Sequence, residues 1–218
     1  MFSLVFLVLF AGAFIFDLDN TLYSVNSGVE DIILRRLREY TSSWLGISWE
    51  ECEPLWRTGL KTYGTTLEWL IEEKGFTAKD EYYAHIHPEN EADSLKPDPE
   101  LRRFIESLPC SSSILTNSPL FHAERIIKKL ELEGVFQNVF TLEDNDLKGK
   151  PHASFFYRAL NCLGLKPDEA LFIDDIPRYV EGYIAIGGKG LLLDERNKYT
   201  WYTNERIKDL KELLIFLD

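Results

Sequence analysis

The chain alternates short apolar runs with longer stretches whose apolar residues recur every three or four positions. Ala13 to Asp17 (AFIFD) is a continuous apolar run ending in a carboxylate, the pattern of a strand buried on both faces of a parallel sheet. Similar runs end at Thr116 (SILT) and Asp174 (LFID), with weaker ones at Val139 to Leu142 and Leu191 to Leu193. Helical patterns separate them. His122 to Leu130 groups Ile126, Ile127 and Leu130, and Ala153 to Leu163 groups Phe155, Phe156, Ala159, Leu160 and Leu163. Strands alternating with helices predict an α/β protein with a doubly wound parallel sheet.

From about Ser24 to Lys96 no strand pattern is evident. Three pairs read as helix-starting capping boxes: Ser27 with Glu30, Ser48 with Glu51, and Thr65 with Glu68. After the first, Val29, Ile33, Leu37, Tyr40 and Trp44 fall on one helical stripe, and four of the five Trp residues lie in this stretch. An all-helical insert with its own core is therefore expected over 24–96, with the α/β domain formed by 1–23 and 97–218. Asp98 is placed as an N-cap with Pro99 at the first helical position of the returning chain.

Composition narrows the partners. With 218 residues and 45% apolar content the chain can bury a full core. A net charge of −12 repels phosphate backbones and anionic lipid, so neither nucleic acid nor a membrane surface is an expected partner. Three cysteines without CxxC spacing read as free thiols in a reducing, cytoplasmic setting rather than as disulfides or a zinc site. Residues 1–13 are too short to span a membrane, which takes about 20 apolar residues. They resemble a signal-peptide core, and Ala11-Gly12-Ala13 mimics a cleavage site, so export is the alternative. No positive region leads, however, and cleavage there would trim the first strand. An apolar lead-in, part strand and part poorly ordered terminus, is the expectation.

Chemistry concentrates at the predicted strand ends, where open parallel sheets bind ligands. Asp17-Leu18-Asp19-Asn20-Thr21 puts two carboxylates at i and i+2 just past a strand; such a pair is costly unless a cation or a proton intervenes. Mg²⁺ suits such a pair. A turn capped by Asp, Asn and Thr accounts for the same residues without chemistry. Thr116-Asn117-Ser118 offers donors for phosphate oxygens at a helix start, or a simple cap at Ser118-Pro119. Lys150 can reach a phosphate as a point charge, or lie solvated in a loop. Asp174-Asp175 reads as a metal ligand with a supporting carboxylate, or as an N-cap. His85 and His87 (HxH) are read as structural or substrate-edge residues rather than metal ligands, and Gly187-Gly188-Lys189-Gly190 as a turn.

The order acidic pair, hydroxyl, lysine, acidic pair, each on a separate strand end, resembles the haloacid dehalogenase superfamily of phosphohydrolases, with a Rossmann-like core and a mobile helical cap after the first motif. More narrowly, DLDNTLY (17–23), Tyr63-Gly64, His85, LKPDPELRRFI (95–105), LTNSPLFHAERII (115–127) and GKPHASFFYRAL (149–160) resemble the pyrimidine 5′-nucleotidase branch. The resemblance implies Asp17 as nucleophile, Asp19 as acid/base and Mg²⁺ on Asp17, Asp175 and the main-chain oxygen of Asp19, with Asp174 orienting the metal shell. It implies phosphate contacts from Thr116, Asn117 and Lys150. Tyr63 and His85 are candidate cap residues reading a small phosphorylated metabolite, a pyrimidine nucleoside monophosphate. A sugar-phosphate or phosphoglycolate phosphatase, a phosphomutase and a non-catalytic interaction module are the alternatives; oligomeric state is left open. One position departs: relatives carry Asn four residues after the second motif-four acid, and here Tyr179 stands there.

Overall fold

A computed structural model describes residues 12–216 of the chain. The apolar lead-in and mimicked cleavage site considered above lie mostly outside the described residues. Six strands form one sheet: β1 (Ala13–Phe16), β2 (Ser111–Leu115), β3 (Val139–Phe140), β4 (Ala170–Asp174), β5 (Lys189–Leu193) and β6 (Arg206–Ile207). Their order is β3-β2-β1-β4-β5-β6, and every neighbouring pair is parallel. The order runs outward in both directions from β1 and β4, as the alternating pattern predicted.

Side chains of these strands divide between the faces with the period of two that a pleat imposes. Phe14, Phe16, Ile114, Leu171 and Ile173 join one core with α5 (Pro99–Glu106) and α6 (Leu120–Lys129). Ile15, Leu115 and Phe172 join a second core with α7 (Ala153–Leu163) and α8 (Pro177–Ala185). Both faces are dry, which explains why the strands read as continuous apolar runs.

The segment between β1 and α5 holds four helices: α1 (Val29–Leu45), α2 (Trp49–Tyr63), α3 (Thr66–Lys74) and α4 (Lys79–Ile86). Tyr40, Leu67, Trp69, Leu70, Phe76, Tyr82, Tyr83 and Ile86 form their own buried cluster. Among the described residues, no helix is long and apolar enough to cross a membrane.

Local signals were only partly decisive. Ser48 and Glu51 form the reciprocal capping box, and Asp98 accepts from the backbone of Glu100 and Leu101 with Pro99 behind it. Ser27 is not an N-cap: α1 starts after Gly28 at φ 82°, and the Glu30 carboxylate accepts from Asn20 instead. Thr65 caps α3, but Glu68 turns away to His152. Trp44, at the end of the α1 stripe, is exposed, with one ring edge against Phe76.

Gly59 lets α2 and α3 approach, because a Cβ there would enter the Trp69 ring. Gly59→Ala is therefore expected to lower stability by about 1–3 kcal/mol through overpacking, measured by urea unfolding; an unchanged midpoint would contradict this packing.

Candidate active site

The register across the sheet sets the site. Phe16 is level with Ile114 on one side and Ile173 on the other, so Asp17, Leu115 and Asp174 end their strands side by side. The Asp17 amide donates to Ile173 O at 2.8 Å, which extends the pairing one residue past β1. The chain then turns through Asn20, held at φ 58°, a left-handed conformation that Asn tolerates better than most residues. This turn brings Asp19 back above the same strand ends.

Lys150 joins them from the loop before α7. Its side chain is fully buried, and its ammonium lies 2.6 Å from both Asp17 Oδ1 and Asp174 Oδ2. The rings of Phe172 and Tyr179 flank the ammonium, with centroids at 5.4 and 5.2 Å. Tyr179, the departure noted in the sequence, is thus a wall of the lysine site. Asn117 holds the Lys150 backbone from both ends: Lys150 N donates to its Oδ1 at 2.6 Å, and its Nδ2 donates to Lys150 O at 3.0 Å. The Asn117 side chain therefore serves the lysine loop. Thr116 is buried beside it, and its hydroxyl accepts from Ser118 N at 3.1 Å.

Burial is the main influence on these acids. It pushes Asp17 up to about 8, with Lys150 opposing and Asp174 and Asp19 adding repulsion. Burial also raises Asp174, against the Lys150 charge. Asp175 rises well above its ordinary value through burial and the charges of Asp174, Asp17 and Glu30. Burial disfavours the Lys150 ammonium, but Asp17 and Asp174 outweigh it and raise its pKa. Oxygen atoms of Asp17, Asp174 and Asp175 lie within 4.8 Å of one another. Three carboxylates facing one ammonium leave an excess of negative charge, and the donors are all hard oxygens. That set fits a small divalent cation such as Mg²⁺.

Asp19 is surrounded differently. Tyr23 Oη donates to its Oδ1 and Ser118 Oγ to its Oδ2, both at 2.6 Å, and His122 Nε2 lies 2.8 Å from Oδ1. Burial alone would raise Asp19, but the His122 charge and these hydrogen bonds hold it well below the carboxylate range. Ser118 is thus an Asp19 partner, not the cap of α6. Tyr23 and His122 had no marked role in the sequence, and Ser118 was read there as a phosphate donor or a helix cap. DLDNTLY and LTNSPLFHAERII contain them, but no spacing rule says that these segments face each other.

A cavity of about 450 Å³ opens above Asp19 between cap and core. Leu34, Leu37, Trp56, Leu60, Tyr82 and Tyr83 supply much of its wall. Neither Tyr63 nor His85 is among its lining residues. Tyr63 packs into the cap core, and the His85 ring lies against Tyr40. His87, by contrast, reaches the cavity.

Arg178 and His152 dock the cap through four contacts. Arg178 donates to the carbonyls of Leu60 and Lys61, and His152 Nε2 lies 2.9 Å from Tyr63 O and from Glu68. Leu60, Lys61 and Tyr63 end α2, so core side chains satisfy carbonyls that a helix terminus leaves unpaired. Gly64, at φ 90°, passes so close to Lys150 O that a Cβ would sit 3.0 Å from it.

Comparison with known proteins places this geometry. A family model for haloacid dehalogenase-like hydrolases matches residues 11–187. The chain belongs to that family. It is 28% identical over 188 residues to phosphate metabolism protein 8 of Saccharomyces cerevisiae, covering 80% of this chain and 59% of that protein. It is 28% identical over 180 residues to a bifunctional riboflavin kinase/FMN phosphatase of Arabidopsis thaliana, covering 78% and 45%. The chain thus spans about half the length of these curated relatives. The fold matches the crystal structure of a HAD phosphatase from Thermococcus onnurineus with a TM-score of 0.64, at 20% identity and 94% and 97% coverage.

Lys150→Met leaves Asp17 and Asp174 buried without their shared cation. We expect a loss of about 3–5 kcal/mol at neutral pH without added metal, read by urea unfolding. Wild-type stability in that variant would show that the ion pair is not structural.

Proposed function

We propose that this chain is a Mg²⁺-dependent phosphomonoester hydrolase acting through an aspartyl phosphate on nucleoside 5′-monophosphates, pyrimidines first. The observation that carries the reading is the convergence of Asp17, Lys150 and Asp174 beneath a cavity with Asp19 at its floor. The family match and the phosphatase names of its relatives support the reaction class.

In this mechanism a carboxylate oxygen of Asp17 bonds to phosphorus as the bond to the leaving oxygen breaks. Asp19, which its three donors keep ionised in the free site, first takes up a proton as the anionic substrate binds and then gives it to that oxygen. Asp19, now ionised, takes a proton from a water that attacks the same phosphorus, releasing phosphate and regenerating Asp17. Lys150 and Thr116 stabilise charge on the other phosphate oxygens, and Asn117 keeps the Lys150 backbone in register. Asp17, Asp174 and Asp175, with the Asp19 main-chain oxygen, would hold Mg²⁺, which supplies charge compensation for the acids and the phosphate.

The aromatic and aliphatic wall of the cavity favours a flat, neutral leaving group. Leu34, Leu37, Leu60 and Trp56 give one part of the lining an apolar face for a flat ring, while Glu30, Thr65, Thr66, His87 and Arg178 supply polar partners elsewhere on it. A nucleoside offers both a flat base and sugar hydroxyls, as does the FMN named for the plant relative, and so suits such a mixed lining. Pyrimidines are preferred on the strength of the sequence resemblance.

Phosphate release should appear with Mg²⁺ and vanish with EDTA, and uridine and cytidine monophosphates should exceed sugar phosphates in kcat/KM. Asp17→Asn should remain folded and lose turnover by at least about a thousandfold, since the covalent route has no substitute nucleophile. An active, folded Asp17→Asn protein would refute the mechanism. A sugar phosphate as best substrate would move the chain to the second substrate class, and complete inactivity on an aryl phosphate would revive a binding role.

A further inference from the structure

Glu91, on the segment that returns from the cap to α5, is fully buried and far along the chain from every acid at the strand ends. A buried carboxylate is costly unless partners satisfy it. Glu91 has three. His87 Nδ1 lies 2.8 Å from Oε2, Arg125 donates to Oε1, and His122 Nδ1 lies 2.9 Å from Oε1 as an ion-pair contact whose angle falls short of a hydrogen bond. Arg125 also donates to Pro88 O at 3.2 Å, which ties the return segment to α6.

His122 is itself fully buried, and its second ring nitrogen contacts Asp19 at 2.8 Å. The imidazole is a rigid plate with its two nitrogens on opposite carboxylates. Whatever fixes one nitrogen fixes the direction of the other. Without Glu91, nothing among the described contacts of Nδ1 would stop the ring from turning, and the Asp19 carboxylate would lose one of its three donors. Glu91 touches neither the cavity floor nor the strand-end acids, so it acts on the site through its two histidines: His122, which reaches Asp19, and His87, which reaches the cavity wall.

We propose that Glu91 is a positioning residue for the acid/base step: it orients His122, and His122 in turn holds the Asp19 carboxylate toward the leaving group. The proposal rests on Asp19 being the proton donor of the proposed reaction. It also makes the cap-to-core return segment a structural part of the catalytic centre, although it lies some 70 residues along the chain from Asp19. His87, Glu91 and His122 could instead gather around a cation, since ligand atoms lie within 4.8 Å of one another. The Arg125 guanidinium already neutralises the Glu91 oxygen that such an ion would need, so the network reading is favoured.

The test compares kcat/KM for an alkyl phosphate, whose leaving oxygen needs a proton, with p-nitrophenyl phosphate, whose leaving group does not. Wild type, Glu91→Gln, His122→Gln and His122→Ala are assayed with saturating Mg²⁺. Glu91→Gln should lose about tenfold to a hundredfold on the alkyl ester, much less on the aryl ester, with little change in KM. His122→Gln, which keeps a donor for Asp19, should lose less than His122→Ala on the alkyl ester. This pair of variants decides the question if Glu91→Gln fails to fold. Equal losses on both esters, or none, would overturn the positioning role. So would a stoichiometric transition metal in the purified protein. A wild-type enzyme inactive on both esters would overturn the functional reading itself, a separate result.

Discussion

A single buried ammonium holds the centre together. Lys150 sits within 2.6 Å of two carboxylates that end adjacent strands, and all three side chains are buried. Two unshielded acids at that separation would repel strongly in a low-dielectric interior. The lysine makes their coexistence possible, and much of the surrounding structure exists to keep it there. Asn117 clamps its backbone, Tyr179 and Phe172 wall its ammonium, and the Gly64 turn of the cap closes over its carbonyl. One positive charge cannot balance Asp17, Asp174 and Asp175 together. That imbalance is what a divalent cation, as proposed above, would offset, and an anionic substrate would then find positive charge from both the cation and the lysine.

The second carboxylate of the first motif lives under opposite conditions. Asp19 receives donors from Tyr23, Ser118 and His122, whereas Asp17 is dominated by burial. Two acids separated by one residue are thereby given opposite surroundings: burial favours the protonated form of Asp17 and the three donors favour the ionised form of Asp19, so the proposed reaction needs a cation beside Asp17 and a phosphate beside Asp19 to reverse that balance. The cap contributes to both. Through Gly64, Arg178 and His152 it docks on the lysine loop and on α8, and through His87 and Glu91 its return segment reaches His122. The docking of the cap therefore bears both on the shape of the cavity and on the partners of Asp19.

Most of the sheet could be read from the chain because a strand buried on both faces must be continuously apolar, and AFIF and LFID admit few other readings. Ser111 to Leu115 was legible only from its end, since three serines precede Ile114; Ser112 and Ser113 are buried all the same. The strand-end acids and Lys150 were legible because their order along the chain follows the order of strands. What could not be read depends on distance in space. Ser27 looked like a cap, but Gly28 took the left-handed turn and Glu30 was drawn to Asn20 across ten residues. Glu68 left its capping box for His152, a partner 84 residues away. Tyr63 and His85 faced the cap core instead of the cavity, because helix phase within the cap is set by Tyr40, Trp69 and Phe76. The Glu91–His122–Asp19 chain joins three segments that no local pattern relates.

The central claim is that Asp17 forms a bond to phosphorus. Mixing enzyme with a phosphomonoester and Mg²⁺, quenching in acid within the first turnover and mapping the digest by mass spectrometry tests it most directly. The account predicts a phosphoryl group on Asp17, labile to hydroxylamine and absent from Asp19. Phosphoryl on any other residue, or full turnover with no covalent species at any quench time, would contradict it.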